Sequence, residues 1–342
     1  MKAIAIKGVR EFEMKEIEKP VEAKDGYVLI DVKKSGICGS DLHYFEAGGP
    51  VGLIMGHEFS GVVVDPGTRT DLKVGDRVTG LPISPCGKCH ACLTGNPQYC
   101  LETWNQAVGL SPDHPGGLTS RIFVREDMVL KLPDSVSFEE GAMVEPTAVG
   151  LHAVHLADIR VGAKVLVIGG GIIGLVSAMF AKKEGASYVA LSETNEARGK
   201  KALTFGVADE YFDAKNQKVI EEMVAKTEGG FDVVIECCGN SAAVSSALMA
   251  VKPGGCVILV GVSLTPVTIP TVLSVMRELT VKGAIGYTKE EFASVIDLMA
   301  NKQIEVLKFV SEEVGLEGIQ AAYEKLTSGT SEEVKILVDP NK

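Results

Sequence analysis

Lys164-Val165-Leu166-Val167-Ile168-Gly169-Gly170-Gly171-Ile172-Ile173-Gly174 is a largely apolar strand that runs straight into a glycine-rich turn. Its last six residues fit the pattern G-x-G-x-x-G. In a chain with 38 glycines the match alone decides little. The context decides it, because the motif requires a strand before it and a helix after it, and the apolar pattern of Ile172–Glu184 supplies the helix. Gly169 is then the tight turn, Gly171 the place where a diphosphate can approach the backbone, and Gly174 the close helix–strand contact. Ile172 and Ile173 open the helix, whose free N–H groups and dipole favour an anion. Glu193 ends the next strand candidate, nineteen residues past Gly174, where an acid meets the ribose hydroxyls of an adenosine. These residues predict a dinucleotide-binding loop with a preference for NAD.

Outward from that loop, apolar strand candidates alternate with helical stretches. The strands are Lys164–Ile168, Tyr188–Leu191, Phe231–Ile235, Cys256–Val260 and Val281–Ile285; the helices include Ile172–Glu184, Asn195–Phe205 and Ser241–Val251. This alternation predicts a doubly wound parallel sheet covered on both faces, an α/β Rossmann domain. Before it, up to about Leu130, the chain reads as short strands broken by Gly and Pro, among them Lys2–Lys7, Tyr27–Lys33, Phe59–Val64 and Asp76–Thr79. The tail from about Glu290 returns to helix and mixed structure. A mostly-β domain interrupted by a nucleotide-binding domain follows, and 342 residues suffice for two cores.

A net charge of −11 without any basic run argues against a nucleic-acid surface. The N-terminus lacks the pattern of a secretory signal. Val165–Ala181 is uncharged but falls short of the ~20 residues a membrane span needs, and four glycines interrupt it. The expected protein is cytoplasmic, with neither a nucleic acid nor a membrane as partner.

Four of the eight cysteines form Cys86-x-x-Cys89-x-x-Cys92-x7-Cys100. Thiols so close in sequence can close a tetrahedron around one zinc and leave no open position, which predicts a structural site in a lobe spanning 85–101. His90 lies inside it, but four thiolates already satisfy the ion. Cys237, Cys238 and Cys256 are expected to be core thiols.

A second set of candidate ligands is scattered: Cys38, His57 with Glu58, and Glu145. Spacing alone carries little. The surrounding text carries more: Gly36-Ile37-Cys38-Gly39-Ser40-Asp41-Leu42-His43, Gly56-His57-Glu58-Phe59-Ser60-Gly61, Val74-Gly75-Asp76-Arg77-Val78, the cysteine lobe and the glycine loop, in that order, resemble the zinc-dependent medium-chain dehydrogenases. Glu145-Pro146 is similar to the sorbitol, butanediol and threonine dehydrogenase branches.

The resemblance implies a GroES-like catalytic domain over 1–148 and 287–342 around a Rossmann domain over 149–286. It implies two zinc ions per chain and NAD. Cys38 and His57 would hold the catalytic zinc; Glu145 would be a third ligand or stand one water away, and Glu58 could exchange onto the metal. Ser40 and His43 match the family's proton relay, and Arg198 the position over the adenine. A small alcohol or ketone would be the substrate, of the polyol, vicinal-diol or hydroxy-amino acid class, and the chain a homo-oligomer, dimer or tetramer. A simple secondary-alcohol dehydrogenase is the nearest alternative; a zinc-lobe binding protein without catalysis is one of another class. Val281–Tyr287 also resembles sorbitol dehydrogenases, which carry Arg where this chain has Gly286.

Overall fold

The computed structural model describes residues 1–342, and the chain divides into two compact units, Met1–Ala148 with Tyr287–Lys342, and Val149–Gly286. In the first, β1 (Lys2–Gly8) and β2 (Glu11–Glu16) make an antiparallel ribbon. A larger sheet begins with β3 (Tyr27–Gly36), β4 (Glu58–Asp65), β5 (Arg77–Gly80), β6 (Arg121–Arg125) and β7 (Val129–Lys131). The ribbon strand β2 and the short strands β6 and β7 were not singled out from the sequence, where partial burial blurs their alternation.

The second unit contains β8 (Lys164–Ile168), β9 (Tyr188–Glu193), β10 (Glu210–Asp213), β11 (Phe231–Glu236), β12 (Val251–Leu259) and β13 (Thr280–Gly283). All pair in parallel, in the order β10-β9-β8-β11-β12-β13. This is the 3-2-1-4-5-6 winding, and its strand order reverses between β8 and β11, the place in such sheets beyond whose carboxyl ends ligands bind. The apolar sheet faces read from the sequence pack in the core, with Leu166, Val234 and Val257 fully buried beneath Val244, Ala247 and Leu248 of helix Ser241–Ala250. Strand boundaries differ from expectation, β9 running on to Glu193 past the expected Leu191. The strand predicted at Cys256–Val260 starts at Val251, because Lys252-Pro253-Gly254-Gly255 looks like a turn but runs as an irregular strand start with a register shift against β11. The last strand ends at Gly283 rather than Ile285. β10 is short and polar, and helix Val219–Thr227 was likewise not anticipated.

The tail returns to the first unit's sheet. β14 (Val310–Gly315) pairs with β15 (Lys335–Asp339), which pairs antiparallel with β3, giving the order β14-β15-β3-β4-β5-β7 with β6 also on β3. Ile336, Val338 and Tyr323 from the tail share one core with Ile4, Ile6, Phe45 and Leu118. Each such side chain contributes about 1.5–3 kcal/mol by leaving water. Lys34 on β3 adds polar ties to Glu313 (2.6 Å) and Asp339 (3.3 Å). No helix is long and apolar enough to cross a membrane.

Candidate metal centres and dinucleotide loop

In the lobe, Sγ of Cys89 lies 3.5 Å from that of Cys92, and Cys86 and Cys92 are 4.0 Å apart. A tetrahedron with Zn–S bonds of about 2.3 Å has edges of about 3.8 Å, so these separations suit a shared ion and are far too long for disulfides. All four donors lie within 4.8 Å of one another. Backbone N–H groups support the sulfurs: Cys89 N–H donates to Cys86 Sγ and Cys86 N–H to Cys100 Sγ, each at 3.4 Å. N–H donation from Lys88 and Cys89 holds the Cys86 thiol down to about 7, while burial and the neighbouring thiols push Cys92 up to about 12, so four thiolates here call for a cation among them.

The second centre is assembled from distant segments. Cys38 follows β3 and caps helix Gly39–Ala47; His57 and Glu58 stand at the start of β4. The pairing of β3 with β4, which sets Gly36 opposite Glu58, brings them together. Cys38, His57 and Glu58 form one donor group with all ligand atoms within 4.8 Å; Glu145, in the first turn of helix Val144–Ala157, falls outside it. Three buried atoms here lack a hydrogen-bond partner: His57 Nδ1, Glu58 Oε1 and Asp41 Oδ1. Such orphans are costly unless something else pairs them. His57 Nδ1 lies 3.4 Å from Asp41 Oδ1, near enough for charge interaction but outside hydrogen-bond geometry. Burial opposes a charged His57, yet Asp41 and Cys38 outweigh it and hold its pKa well above the usual value. The pocket calls for positive charge. Thiol, imidazole and carboxylate are the donor types that zinc takes, so the residues fit that ion.

Sequence reasoning missed much of the supporting shell. Asp41 sits inside the quoted motif; it is fully buried, and its carboxylate accepts from Cys38 N–H at 3.3 Å. A carboxylate behind a ligating histidine orients the ring and raises its basicity. Lys335, which heads β15, is buried at 1 % exposure and forms an ion pair with Glu58 while donating to the Ile37 carbonyl at 2.9 Å. A lysine heading an apolar run, Lys335-Ile336-Leu337-Val338, was the one available signal. A Cβ on Gly36 would stand 1.9 Å from Glu58 Oε2, so only glycine leaves room for this pair. Tyr287 donates to Glu145 Oε1 at 2.8 Å, and burial pushes the Glu145 carboxyl up to about 7. Cys38, Ser40 and His43 are only partly buried, with Ser40 Oγ 3.2 Å from Cys38 Sγ.

In the second unit the glycine loop follows β8. Gly169 has φ +109°, a conformation that favours glycine, and a Cβ on Gly174 would lie 1.9 Å from the Gly169 carbonyl. Around a Cβ placed on Gly171 there is open space, and Gly171 caps helix Ile172–Lys183. Glu193 is buried at the end of β9, where its Oε2 accepts from Gly170 N–H (2.6 Å) and Oε1 from Asn195 N–H (2.8 Å) and Thr194 Oγ1 (3.0 Å). Burial would raise its pKa, but Arg198 and these donors outweigh it and lower it. Arg198 Nη2 stands 3.6 Å from Glu193. Of the three expected core thiols, Cys237 and Cys256 are half-buried and Cys238 is exposed where β11 ends, with its Sγ 3.6 Å from the Ile168 carbonyl. Apolar neighbours in sequence hid that the strand stops at Glu236.

Two family models match the chain: an alcohol dehydrogenase GroES-like domain over residues 24–134 and a zinc-binding dehydrogenase over 173–301. Sorbitol dehydrogenase of Bacillus subtilis (strain 168) is 32 % identical over 354 aligned positions, covering 100 % of this chain and 98 % of that protein. Among solved structures, 2R,3R-butanediol dehydrogenase from Bacillus subtilis has a TM-score of 0.87 at 33 % identity, covering 99 % of both chains. A zinc-binding dehydrogenase from Sinorhizobium meliloti 1021, bound to NADP, has a TM-score of 0.88 at 30 % identity with the same coverage. With full-length relatives above 30 % identity and both zinc donor sets in place, the chain belongs to the zinc-dependent medium-chain dehydrogenases.

Proposed function

We propose that this dehydrogenase oxidises the secondary alcohol of a polyol, vicinal diol or hydroxy-amino acid, or reduces the matching ketone, with NAD(H). The observation that carries the reading is the gathering of Cys38, His57 and Glu58 within 4.8 Å, beside a separate closed lobe. Cys38, His57 and Glu58 would hold the catalytic zinc with Glu145 beside them, and Cys86, Cys89, Cys92 and Cys100 the structural one. Bound there, zinc supplies the Lewis acidity that lowers the pKa of an alcohol oxygen. The nicotinamide carries the hydride chemistry.

The chain's own residues do the rest. Ser40, partly exposed beside Cys38, accepts the substrate's proton and hands it toward His43, one turn along the same helix and partly open to solvent. Asp41, 3.4 Å from His57 Nδ1, holds the ring by charge. The N–H groups of Ile172 and Ile173 receive the diphosphate, with Gly169, Gly171 and Gly174 shaping the approach. Glu193 accepts from the adenosine ribose hydroxyls, and Arg198 covers the adenine. A carboxylate offers about four acceptor positions, of which Gly170, Thr194 and Asn195 use three. The ribose therefore meets the last one or displaces Thr194.

Self-association and a cytoplasmic home belong to the same proposal. Val262, Leu264, Val272, Val275 and Met276, all at least 56 % exposed, lie in the segment joining β12 to the edge strand β13, apolar surface that a second copy would cover. Four thiols kept for a metal suit a reducing compartment. Light scattering after gel filtration checks the first point, where a monomer at micromolar concentration would refute it.

The test of substrate class is a panel of polyols, diols, hydroxy-amino acids and simple secondary alcohols with each cofactor. The highest kcat/KM is expected in one of the first three groups with NAD. Gly286 replaces the fork of donors an Arg would offer, so sorbitol should not lead the panel. A simple secondary alcohol at the top would contradict the proposed class.

A further inference from the structure

Glu145 is held by a residue that no part of the proposed reaction uses. The Tyr287 hydroxyl donates to its Oε1 at 2.8 Å, and the two side chains are 2 % and 8 % exposed. A buried phenol must find an acceptor, and a buried carboxylate must be paired, so each fixes the other. Tyr287 is itself firmly placed. Its ring packs on Phe292 with centroids 5.4 Å apart, and Phe292 lies on helix Lys289–Ala300, whose start is locked by a capping box between Thr288 and Glu291. Glu145 stands outside the Cys38–His57–Glu58 donor group yet within electrostatic reach of His57, Glu58 and Lys335.

We propose that Tyr287 is a positioning residue that commits Oε1 of Glu145 to a hydrogen bond and so fixes how this carboxylate stands beside the metal centre. With one lone pair of Oε1 taken by the phenol, Oε2 is the freer oxygen to turn toward the metal or a substrate hydroxyl. Tyr287 thereby sets the ligand field at the centre without touching the ion. This rests on the zinc reading of the Cys38 centre.

The test replaces the metal at that centre with Co2+, leaving zinc in the lobe, and compares wild type, Tyr287→Phe and Tyr188→Phe. Tyr188 is the control: its hydroxyl also donates to a carboxylate, Glu210, at 2.6 Å, but in the second unit. In Tyr287→Phe the visible Co2+ bands should shift and the ion should leave roughly ten- to a hundredfold faster, the usual scale for losing an outer-shell partner. kcat should fall more than KM rises, and the melting temperature should fall by no more than several degrees, the scale of one lost buried hydrogen bond. Tyr188→Phe should leave bands and release unchanged. Incorporation of 3-fluorotyrosine at 287, a stronger donor, should move the bands in the opposite direction, and covers the case in which the Phe variant does not fold. Unchanged bands and release in both position-287 variants would overturn the role of Tyr287 alone. A wild type that takes no Co2+ outside the lobe would instead overturn the metal reading on which it rests.

Discussion

The two metal centres of the first unit are opposites in construction. The lobe takes four like donors from a single run, Cys86 to Cys100, and supports them with N–H groups of the same loop. The other takes three unlike donors from the ends of β3 and β4 and depends on β15, from the far end of the chain, for Lys335. A site written in one loop is closed and serves the fold. A site that needs the finished sheet gathers three donors rather than four, and the fourth position it leaves can serve chemistry.

The largest expected effects separate the two. Cys38→Ser should lower kcat/KM on the order of 10³-fold or more, the loss of several kcal/mol of Lewis-acid stabilisation, with little change in melting temperature. Cys89→Ser should do the reverse. Its melting temperature should fall by roughly 10 °C or more, since a closed zinc site contributes several kcal/mol and each one moves a domain of this size by about 2–4 °C. Steady-state kinetics and thermal melts on both variants would show whether the roles are exchanged or shared.

The same contrast explains what could be read in advance. The lobe and the glycine loop were legible because their chemistry depends on neighbours in sequence: Cys86-x-x-Cys89, Gly169 through Gly174. Cys38, His57 and Glu58 became legible only through the wording around them. Lys335 and Tyr287 were not, because nothing near them in sequence reports that β15 lies against β3 or that Tyr287 meets Glu145, 142 residues earlier. Glu193 was found, but its three bonds within the chain, which leave it little spare acceptor capacity, needed the β9 turn to be seen.

Next in size is Lys335→Met. Removing one member of a buried ion pair leaves the other charge stranded, at about 3–5 kcal/mol. Denaturant unfolding of metal-depleted protein should show that loss. With zinc present the loss should shrink, because Glu58 then gains another cation; equal losses in both states would place Glu58 outside the metal's influence. Smaller again is cofactor choice. The 2′-phosphate of NADP, ~4 Å from Glu193, would be repelled by about 4 kcal/mol at an effective dielectric near 20, and solvent screening leaves about half to three-quarters of that, or roughly 30- to 150-fold in favour of NAD. Glu193→Gln should narrow the kcat/KM ratio of NAD to NADP, and an unchanged ratio would remove Glu193 from that role.

The smallest effect is a pH dependence confined to the metal-free centre. Glu145 and His57 both have folded-state pKa values raised above their ordinary ones, Glu145 to about 7. The folded chain therefore holds more protons than the unfolded one, and stability falls as pH rises from about 4.5 through 7 for Glu145 and above 6.5 for His57. Melting temperature of chelated protein should drop by a few degrees between pH 6 and pH 8, while zinc, supplying the cation in place of protons, should flatten the curve.

The most direct measurement is a graded chelation of the wild type, with zinc content, turnover and melting temperature followed on the same samples. Two zinc ions per chain should leave in two steps. The first, from the centre with one thiolate among three unlike donors, should take the activity with it and lower the melting temperature only slightly; the second, from the four-thiolate lobe, should bring the melting temperature down much further. Loss of activity only with the second ion, or a single zinc per chain, would contradict the division of labour between the two centres.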